Sequence, residues 1–399
     1  MKYLILVADG LADFPLEELG GKTPLAQADT PNLDRLARDG QLHTLVTVPE
    51  GMPPGSDVAN LSLLGYDPSH CYTGRAPLEA ASLHVALRGA DLAFRCNLVN
   101  LDLTAPSRPL MLDYSAGHIS TPEARELILS LAAELNGPHL AFYPGVSYRH
   151  LLVTDQGLGP LATTPPHDHS GQEVSDFWNG YLDNPVFGPL VRRAGEILAQ
   201  HPVNRARVKA GKTPANAIWL WGEGRAPQLA TLKERFGITG ALISAVDLLK
   251  GIGVYAGMEV IEVPGATGYL DTNYQGKAQG ALDALGRHDL VFVHVEAPDE
   301  AGHQGLIAEK IQAIEDFDKK IVAPIVAGLA GADYRLVVTC DHFTPIRIKT
   351  HAGLPVPLIL FDSRQAGDGH GPAYTEDNAK AAGSPIPGGA EFLSLLLGR

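Results

Sequence analysis

Short, nearly continuous runs of apolar residues punctuate the chain, and between them apolar positions recur with helical spacing. Five runs stand out: "YLILVAD" (3–9), "NAIWLWG" (216–222), "GALISAV" (240–246), "LVFVHVEA" (290–297) and "YRLVVTCD" (334–341), with "VPLILFD" (356–362) as a sixth. Runs of this length predict strands buried on both faces, as in a parallel sheet covered by helices. The intervening segments "TPNLDRLARDG" (30–40), "APQLATLKERFG" (226–237) and "IAEKIQAIEDFDKKIVAPIVAGL" (307–329) read as helices. Thr30 followed by Pro31 makes a cap and first turn, and Gly40 a stop. Strands alternating with helices predict an α/β fold with a mostly parallel sheet between helices.

Between about residues 70 and 212 the pattern changes. A long strand-like stretch "LAFRCNLVNLDL" (92–103), a helix "TPEARELILSLAAELN" (121–136) and strands "HLAFYPG" (139–145) and "RHLLVTD" (149–155) precede loops around "TTPPHDHSGQ" (163–172). This predicts a smaller α+β domain, residues 70–212, inserted into a discontinuous core of residues 1–69 and 213–399. No internal repeat or low-complexity segment interrupts the reading.

The 399 residues are 45% apolar and 19% charged, which suits a folded chain of about two domains. A net charge of −14 argues against a nucleic-acid or anionic-membrane surface. The basic stretch "NRARVKAGK" (204–212) lacks interleaved aromatics and reads as a solvated loop. No apolar run reaches the roughly 20 residues of a spanning helix, and the first residues read as a strand, not a signal peptide. Cys71, Cys96 and Cys340 are scattered, which suggests a reducing cytoplasm. The excess of carboxylates and the 15 histidines admit a metal.

In open α/β sheets, ligands sit beyond the carboxyl ends of the strands. The predicted strand ends carry Asp9 in "ADG", Asp299 and His303 in "APDEAGHQG", and Asp341 and His342 in "TCDHFTP"; His351 precedes the strand 356–362. Asp299 and His303 are four apart, on one face of a helical turn. Taken singly, each has an ordinary reading as a turn, a cap or a solvated group. Taken together, six hard or borderline ligands at equivalent positions suit two divalent ions, the usual clamp for phosphoryl chemistry. "EGMPPGSDVANLSLLGYDP" (50–68) presents Ser56 at the start of a helix, either as an ordinary N-cap or as a nucleophile beside a bound phosphoryl group.

The segments "ADG", "ELGGKTPLAQADTPNLDRLARDG", "PGSDVANLSLLGYDP", "YTGRAPLEAAS", "DEAGHQG", "TCDHFTP" and "HAGLPVPLIL" together resemble the alkaline phosphatase superfamily. More closely, they resemble its cofactor-independent phosphoglycerate mutases, in the archaeal-type branch that has bacterial members. The resemblance runs nearly end to end. It implies an alkaline-phosphatase-like core with the inserted domain as a lid. It also implies two divalent ions, manganese first, with zinc, magnesium or cobalt as alternatives. Asp299, His303 and His351 would hold one; Asp9, Ser56, Asp341 and His342 the other. Ser56 would take the phosphoryl group of 3-phosphoglycerate and return it to give 2-phosphoglycerate. Arg75, Arg95 and Arg149, then Asn60, His150, His167, Asp168 and Lys277, are the candidates for binding this small phosphorylated substrate. The same scaffold admits other acceptors, as in a homoserine kinase-like enzyme, or water, as in a phosphatase. No GxxxxGK[ST] loop is present for a conventional ATP-using kinase.

Overall fold

A computed structural model describes residues 1–105, 108–156 and 161–399. The chain divides into two compact units: unit 1 comprises Met1–Tyr72 and Gln228–Arg399, and unit 2 comprises Thr73–Pro227. In chain order the strands are β1 (Lys2–Ala8), β2 (Gln41–Val46), β3 (Leu92–Asp102), β4 (Leu110–Asp113), β5 (Leu140–Tyr143), β6 (Arg149–Thr154) and β7 (Ala217–Gly224). They continue with β8 (Gly240–Ile243), β9 (Glu259–Val260), β10 (Leu290–Val295), β11 (Tyr334–Thr339), β12 (Val356–Asp362) and β13 (Ile386–Pro387).

Unit 1 is built on an eight-stranded sheet of order β13-β2-β12-β11-β1-β10-β8-β9. Five adjacent strands, β9 through β11, run parallel, while β12 is antiparallel to both of its neighbours. β1 is central: Tyr3 pairs with Leu290 on one side and Arg335 on the other. Its residues Leu4 to Ala8 are fully buried, which is why the run carries no polar alternation. Because β1, β10 and β11 point the same way, their carboxyl ends open at one edge.

Unit 2 holds a five-stranded antiparallel sheet in which β3 pairs with β4, β6 and β7, and β5 with β6. Successive residues face opposite sides, as the two-residue period of a strand requires. Phe94, Cys96 and Leu98 join the main core; Ala93, with Leu151 and Val153 of β6, packs against Ala76 and Ala80 of the helix Arg75–Ser82.

Four local expectations are corrected. The run 216–222 is not a strand of the parallel sheet: it is β7, antiparallel to β3 in unit 2. The helices Arg75–Ser82 and Phe187–Gln200 both pack on β7, and cover on both sides yields the same continuous apolar run that a parallel strand shows. The stretch 204–212 is not a solvated loop, since Pro202–Lys209 is helical and Arg207 is buried, bonded to Glu123 and to the carbonyls of Ala116 and Thr213. The helix expected over 226–237 is confined to Leu232–Phe236, fixed by the capping box of Thr231 and Glu234 and ended by left-handed Gly237. The segment 307–329 is interrupted, passing from the helix Ile307–Phe317 through a wider turn at Asp318–Val322 into Ala323–Gly328. Thr30 precedes the helix Pro31–Asp39 as expected but makes no side-chain cap; the Asp318 carboxylate accepts from the N–H groups of Asn32 and Leu33 instead. Among the described residues no helix is long and apolar enough to cross a membrane.

Glu376, in the helix Glu376–Ala381, accepts from Thr23 Oγ1 at 2.7 Å and from Asp13 N at 3.2 Å inside unit 1. Burial pushes its pKa from 4.5 up to about 7, these bonds offsetting only part of the cost. The protonated form is therefore favoured on folding. Its contribution is fully present below about pH 4.5 and is lost as the pH rises through about 7. Glu376→Gln, which stays neutral, should be more stable than the parent at pH 8 by about 3 kcal/mol relative to the difference at pH 4.5. Urea unfolding at the two pH values measures this; an equal difference at both would refute it.

Candidate active site

At the carboxyl edge of the unit 1 sheet the chain leaves β1 as Asp9-Gly10, β10 as the helix Ala297–Gln304, and β11 as Cys340-Asp341-His342. Gly10 has φ +61°, and a Cβ there would lie 2.7 Å from Asp299 Oδ1 and 2.5 Å from Thr344 Oγ1. Only glycine lets these backbones approach so closely. The Gly10 N–H donates to Asp341 Oδ1 at 3.2 Å, so the first turn of the chain orients a carboxylate that follows 331 residues later.

Asp9, Asp299 and Asp341 converge here with four histidines. His303 Nε2 is 3.3 Å from Asp299 Oδ2 and His351 Nε2 is 3.5 Å from Asp299 Oδ1. His342 Nε2 is 3.6 Å from Asp9 Oδ1 and 3.4 Å from Asp341 Oδ2. The fourth, His294 on β10, sits with Nε2 3.4 Å from Asp9 Oδ2 and 3.9 Å from Asp341 Oδ2. Three overlapping groups each gather their donor atoms within 4.8 Å of one another: Asp299, His303 and His351; Asp9, Asp299 and His342; Asp9, His294 and Asp341.

All four rings are held the same way round. Nδ1 faces the Lys349 carbonyl in His303 (3.0 Å), the Pro54 carbonyl in His351 (3.4 Å), Thr344 Oγ1 in His342 (3.2 Å) and Glu296 Oε1 in His294 (3.2 Å). Thr344 in turn donates to Asp299 Oδ1 at 2.5 Å, which leaves its oxygen to accept from His342. With the proton on Nδ1, each Nε2 lone pair points inward, the arrangement of metal-ligating imidazoles and their outer partners. His303 Nε2 and His351 Nε2 stand 2.9 Å apart. Two lone pairs at that distance need a cation between them, be it a proton or a metal.

Ser56 is the first residue of the helix Ser56–Leu63, whose cap is Gly55. Its hydroxyl is therefore not spent on capping and lies 3.2 Å from His342 Nε2. Asn60, one turn on, donates from Nδ2 to Ser56 O at 2.8 Å and to Asp341 Oδ2 at 3.0 Å, fixing the nucleophile candidate against the carboxylate. Lys277 lies behind the carboxylates, fully buried and paired with Glu296 at 2.8 Å.

The remaining candidates belong to unit 2 and form a separate cluster. Buried Glu79 accepts from Arg75 Nε at 3.2 Å and faces Arg95 Nε at 2.9 Å. Arg95 lies 4.2 Å over the Trp221 ring and Arg149 5.5 Å over Tyr148. The His167 ring stands edge-on to Trp221, and His167 Nε2 is 3.6 Å from exposed Asp168. His150 is buried, with Nδ1 accepting from Gly145 N–H. Burial, reinforced by Arg149, pushes its pKa down to about 3, so its proton rests on Nε2. Three guanidinium groups around one carboxylate leave an excess of positive charge, which suits an anionic ligand.

A family model described as 2,3-bisphosphoglycerate-independent phosphoglycerate mutase matches residues 37–204. A 2,3-bisphosphoglycerate-independent phosphoglycerate mutase of Methanosarcina barkeri is 50% identical over 400 residues, covering 100% of this chain and 99% of that one. The chain belongs to this family of isomerases. Among solved structures, a protein from Pyrococcus horikoshii superposes with a TM-score of 0.81 at 29% identity, covering 100% of this chain and 96% of that one. The cofactor-independent phosphoglycerate mutase of Thermoplasma acidophilum gives a TM-score of 0.65 at 28% identity over 100% and 99% of the two chains. The acid and histidine set suits divalent ions.

The electrostatics fit such ions. Burial, then the fields of Asp341 and Asp299, push the Asp9 pKa well up. Burial opposes ionisation of Asp299 and Asp341 too, but histidine hydrogen bonds and fields outweigh it and hold both low. Burial works against charging His303, yet Asp299 pushes its pKa up to about 9. Protons thus hold positions that a divalent ion would take. His294, Glu296 and Thr344 escaped the sequence reading; the signal available was a histidine and a glutamate inside the apolar run 290–297.

Two expectations follow. Titration with Mn²⁺ at pH 7 should release about one proton or more, read as a dependence of the calorimetric heat on buffer ionisation enthalpy; no dependence would contradict the assignment. Glu79→Gln leaves buried Arg95 without its counter-charge and should destabilise unit 2 by about 3 kcal/mol. Trp178, Trp219 and Trp221, the chain's three tryptophans, all lie in unit 2, so fluorescence in a urea titration reports that unit. A change below about 1 kcal/mol would show that the pair carries no such burden.

Proposed function

We propose that the chain interconverts 3-phosphoglycerate and 2-phosphoglycerate through a phosphoserine on Ser56, at a centre of two divalent ions, manganese first. The observation that carries this reading is the Ser56 hydroxyl beside His342 Nε2, at the mouth of a cluster of inward-facing imidazole nitrogens and buried carboxylates. Asp299, His303 and His351 would hold one ion; Asp9, Asp341 and His342, with Ser56, the other. Bound there, the ions would neutralise phosphoryl charge and lower the pKa of the serine hydroxyl.

The chain's own groups do the rest. Asn60 tethers the Ser56 carbonyl to Asp341, which holds the backbone that carries the hydroxyl against the carboxylate. The start of the helix Ser56–Leu63 offers free N–H groups to a phosphoryl oxygen. Arg75, Arg95 and Arg149 would grip the carboxylate and phosphate of the substrate, and aromatic Trp221 and Tyr148 hold the guanidinium planes. Glycerate, kept bound after the first transfer, would take the phosphoryl group back on the neighbouring hydroxyl. Positioning and charge neutralisation supply most of the acceleration in such a transfer. A reducing cytoplasm is the compartment this activity and the three free cysteines suit.

A phosphorus NMR time course with Mn²⁺ and 3-phosphoglycerate, without bisphosphoglycerate, should show 2-phosphoglycerate growing to equilibrium. Inorganic phosphate alone would indicate a phosphatase, and no change would shift the acceptor towards another alcohol such as homoserine. Ser56→Ala should lower turnover by about a thousandfold or more, and exhaustive chelation should abolish it reversibly. Substantial activity in the variant would remove the phosphoserine mechanism, and activity that survives exhaustive chelation would remove the two-ion centre.

A further inference from the structure

Behind the carboxylates lies a line of ionisable groups that the proposed reaction does not use. Lys277, on the helix Tyr274–Leu285, is fully buried and donates from Nζ to Glu296 Oε2 at 2.8 Å and to the His294 carbonyl at 2.9 Å. Glu296 Oε1 accepts from Ser244 Oγ at 2.8 Å, Ala245 N at 2.9 Å and His294 Nδ1 at 3.2 Å. With four donors aimed at it, Glu296 is a carboxylate and cannot surrender its place. His294, also fully buried, is thereby locked with Nδ1 towards Glu296. Its Nε2 has no hydrogen-bond partner and points at Asp9 Oδ2 and Asp341 Oδ2.

A buried ion pair is poor value as a stabilising device, because desolvation cancels most of its attraction and an apolar pair often does as well. A pair that fixes a ring facing two functional carboxylates has another use. We propose that Lys277, Glu296 and His294 form a buried positioning chain that presents the His294 Nε2 lone pair beside Asp9 and Asp341, as a further donor to a divalent ion. It links five separate pieces of unit 1: the helix Tyr274–Leu285, the turn after β8, the end of β10, and through His294 the ends of β1 and β11. Outer partners of this kind are worth 10–100-fold in metal affinity. The inference rests on the divalent-ion reading of the site.

The test is calorimetric titration of Mn²⁺ into the full chain, with circular dichroism melts to establish that each variant is folded. His294→Gln removes the ring. Because Glu296→Gln alone would strand a buried lysine, the second variant is the double Lys277→Met/Glu296→Gln, which removes both charges together. Each should weaken Mn²⁺ binding 10–100-fold, while Glu376→Gln, which also removes a buried carboxylate but lies outside the chain, should bind as the parent does. A merely structural role would lower the melting temperature and leave the Mn²⁺ Kd of the folded protein unmoved. A Kd within about threefold of the parent in the folded variants overturns the positioning chain alone. Failure of the parent to bind Mn²⁺ overturns the ion site and the chain with it.

Discussion

Three carboxylates share the edge of one sheet because three adjacent parallel strands end there, and every other feature of unit 1 is arranged around that crowding. Asp9 directly follows the central strand, and Asp299 and Asp341 lie on the paths leaving its two neighbours. Like charges a few ångströms apart in a dry interior repel by several kcal/mol or more, so they persist only with cations or protons between them. The inward Nε2 atoms, the raised Asp9 and His303 pKa values and the close approach of His303 to His351 are all consequences of that requirement. Gly10 and Thr344 then set the spacing, one by having no side chain and the other by bonding Asp299 and His342 at once.

Unit 2 presents the opposite balance. A single buried carboxylate, Glu79, is surrounded by three guanidinium groups, and the local excess is positive. Burial and the neighbouring arginines push the Arg95 pKa down to about 10, with Glu79 offsetting part of the effect. One unit concentrates negative charge that wants metal cations; the other concentrates positive charge that wants an anion.

The strand ends were legible because a buried strand announces itself by its apolar run, and in a parallel sheet functional groups follow that run directly. Asp9, Asp299, His303, Asp341 and His342 could be found on this ground alone. His351 was visible only as the residue before a strand. Direction was not legible: "VPLILFD" reads identically whether β12 runs parallel or antiparallel, and "NAIWLWG" reads alike in either sheet. β2 was missed since "QLHTLV" alternates and has an exposed start. His294 and Glu296 were hidden inside a run taken for strand and nothing more. Yet a charge within a buried run must be paired, and Lys277 in a helix of small residues was the available partner. The resemblance instead sets it among the candidates for binding substrate. The wider turn at Asp318–Val322 has no sequence signature at all.

The central position of β1 bears on how the chain is made. Its two neighbours lie nearly 290 and 330 residues downstream, at Leu290 and Arg335 for Tyr3. During synthesis the first strand leaves the ribosome with no partner, while the whole of unit 2, a single continuous segment, is completed before either neighbour exists. Unit 2 can therefore fold first, while the apolar β1 waits for about a minute of translation at the slowest rates or about fifteen seconds at the fastest, a stretch of roughly 300 residues at about 5–20 residues per second. An unpaired run of this kind is exposed to aggregation, so the residue order that brings Asp9 between Asp299 and Asp341 also leaves that run without its native partners until the last third of the chain emerges.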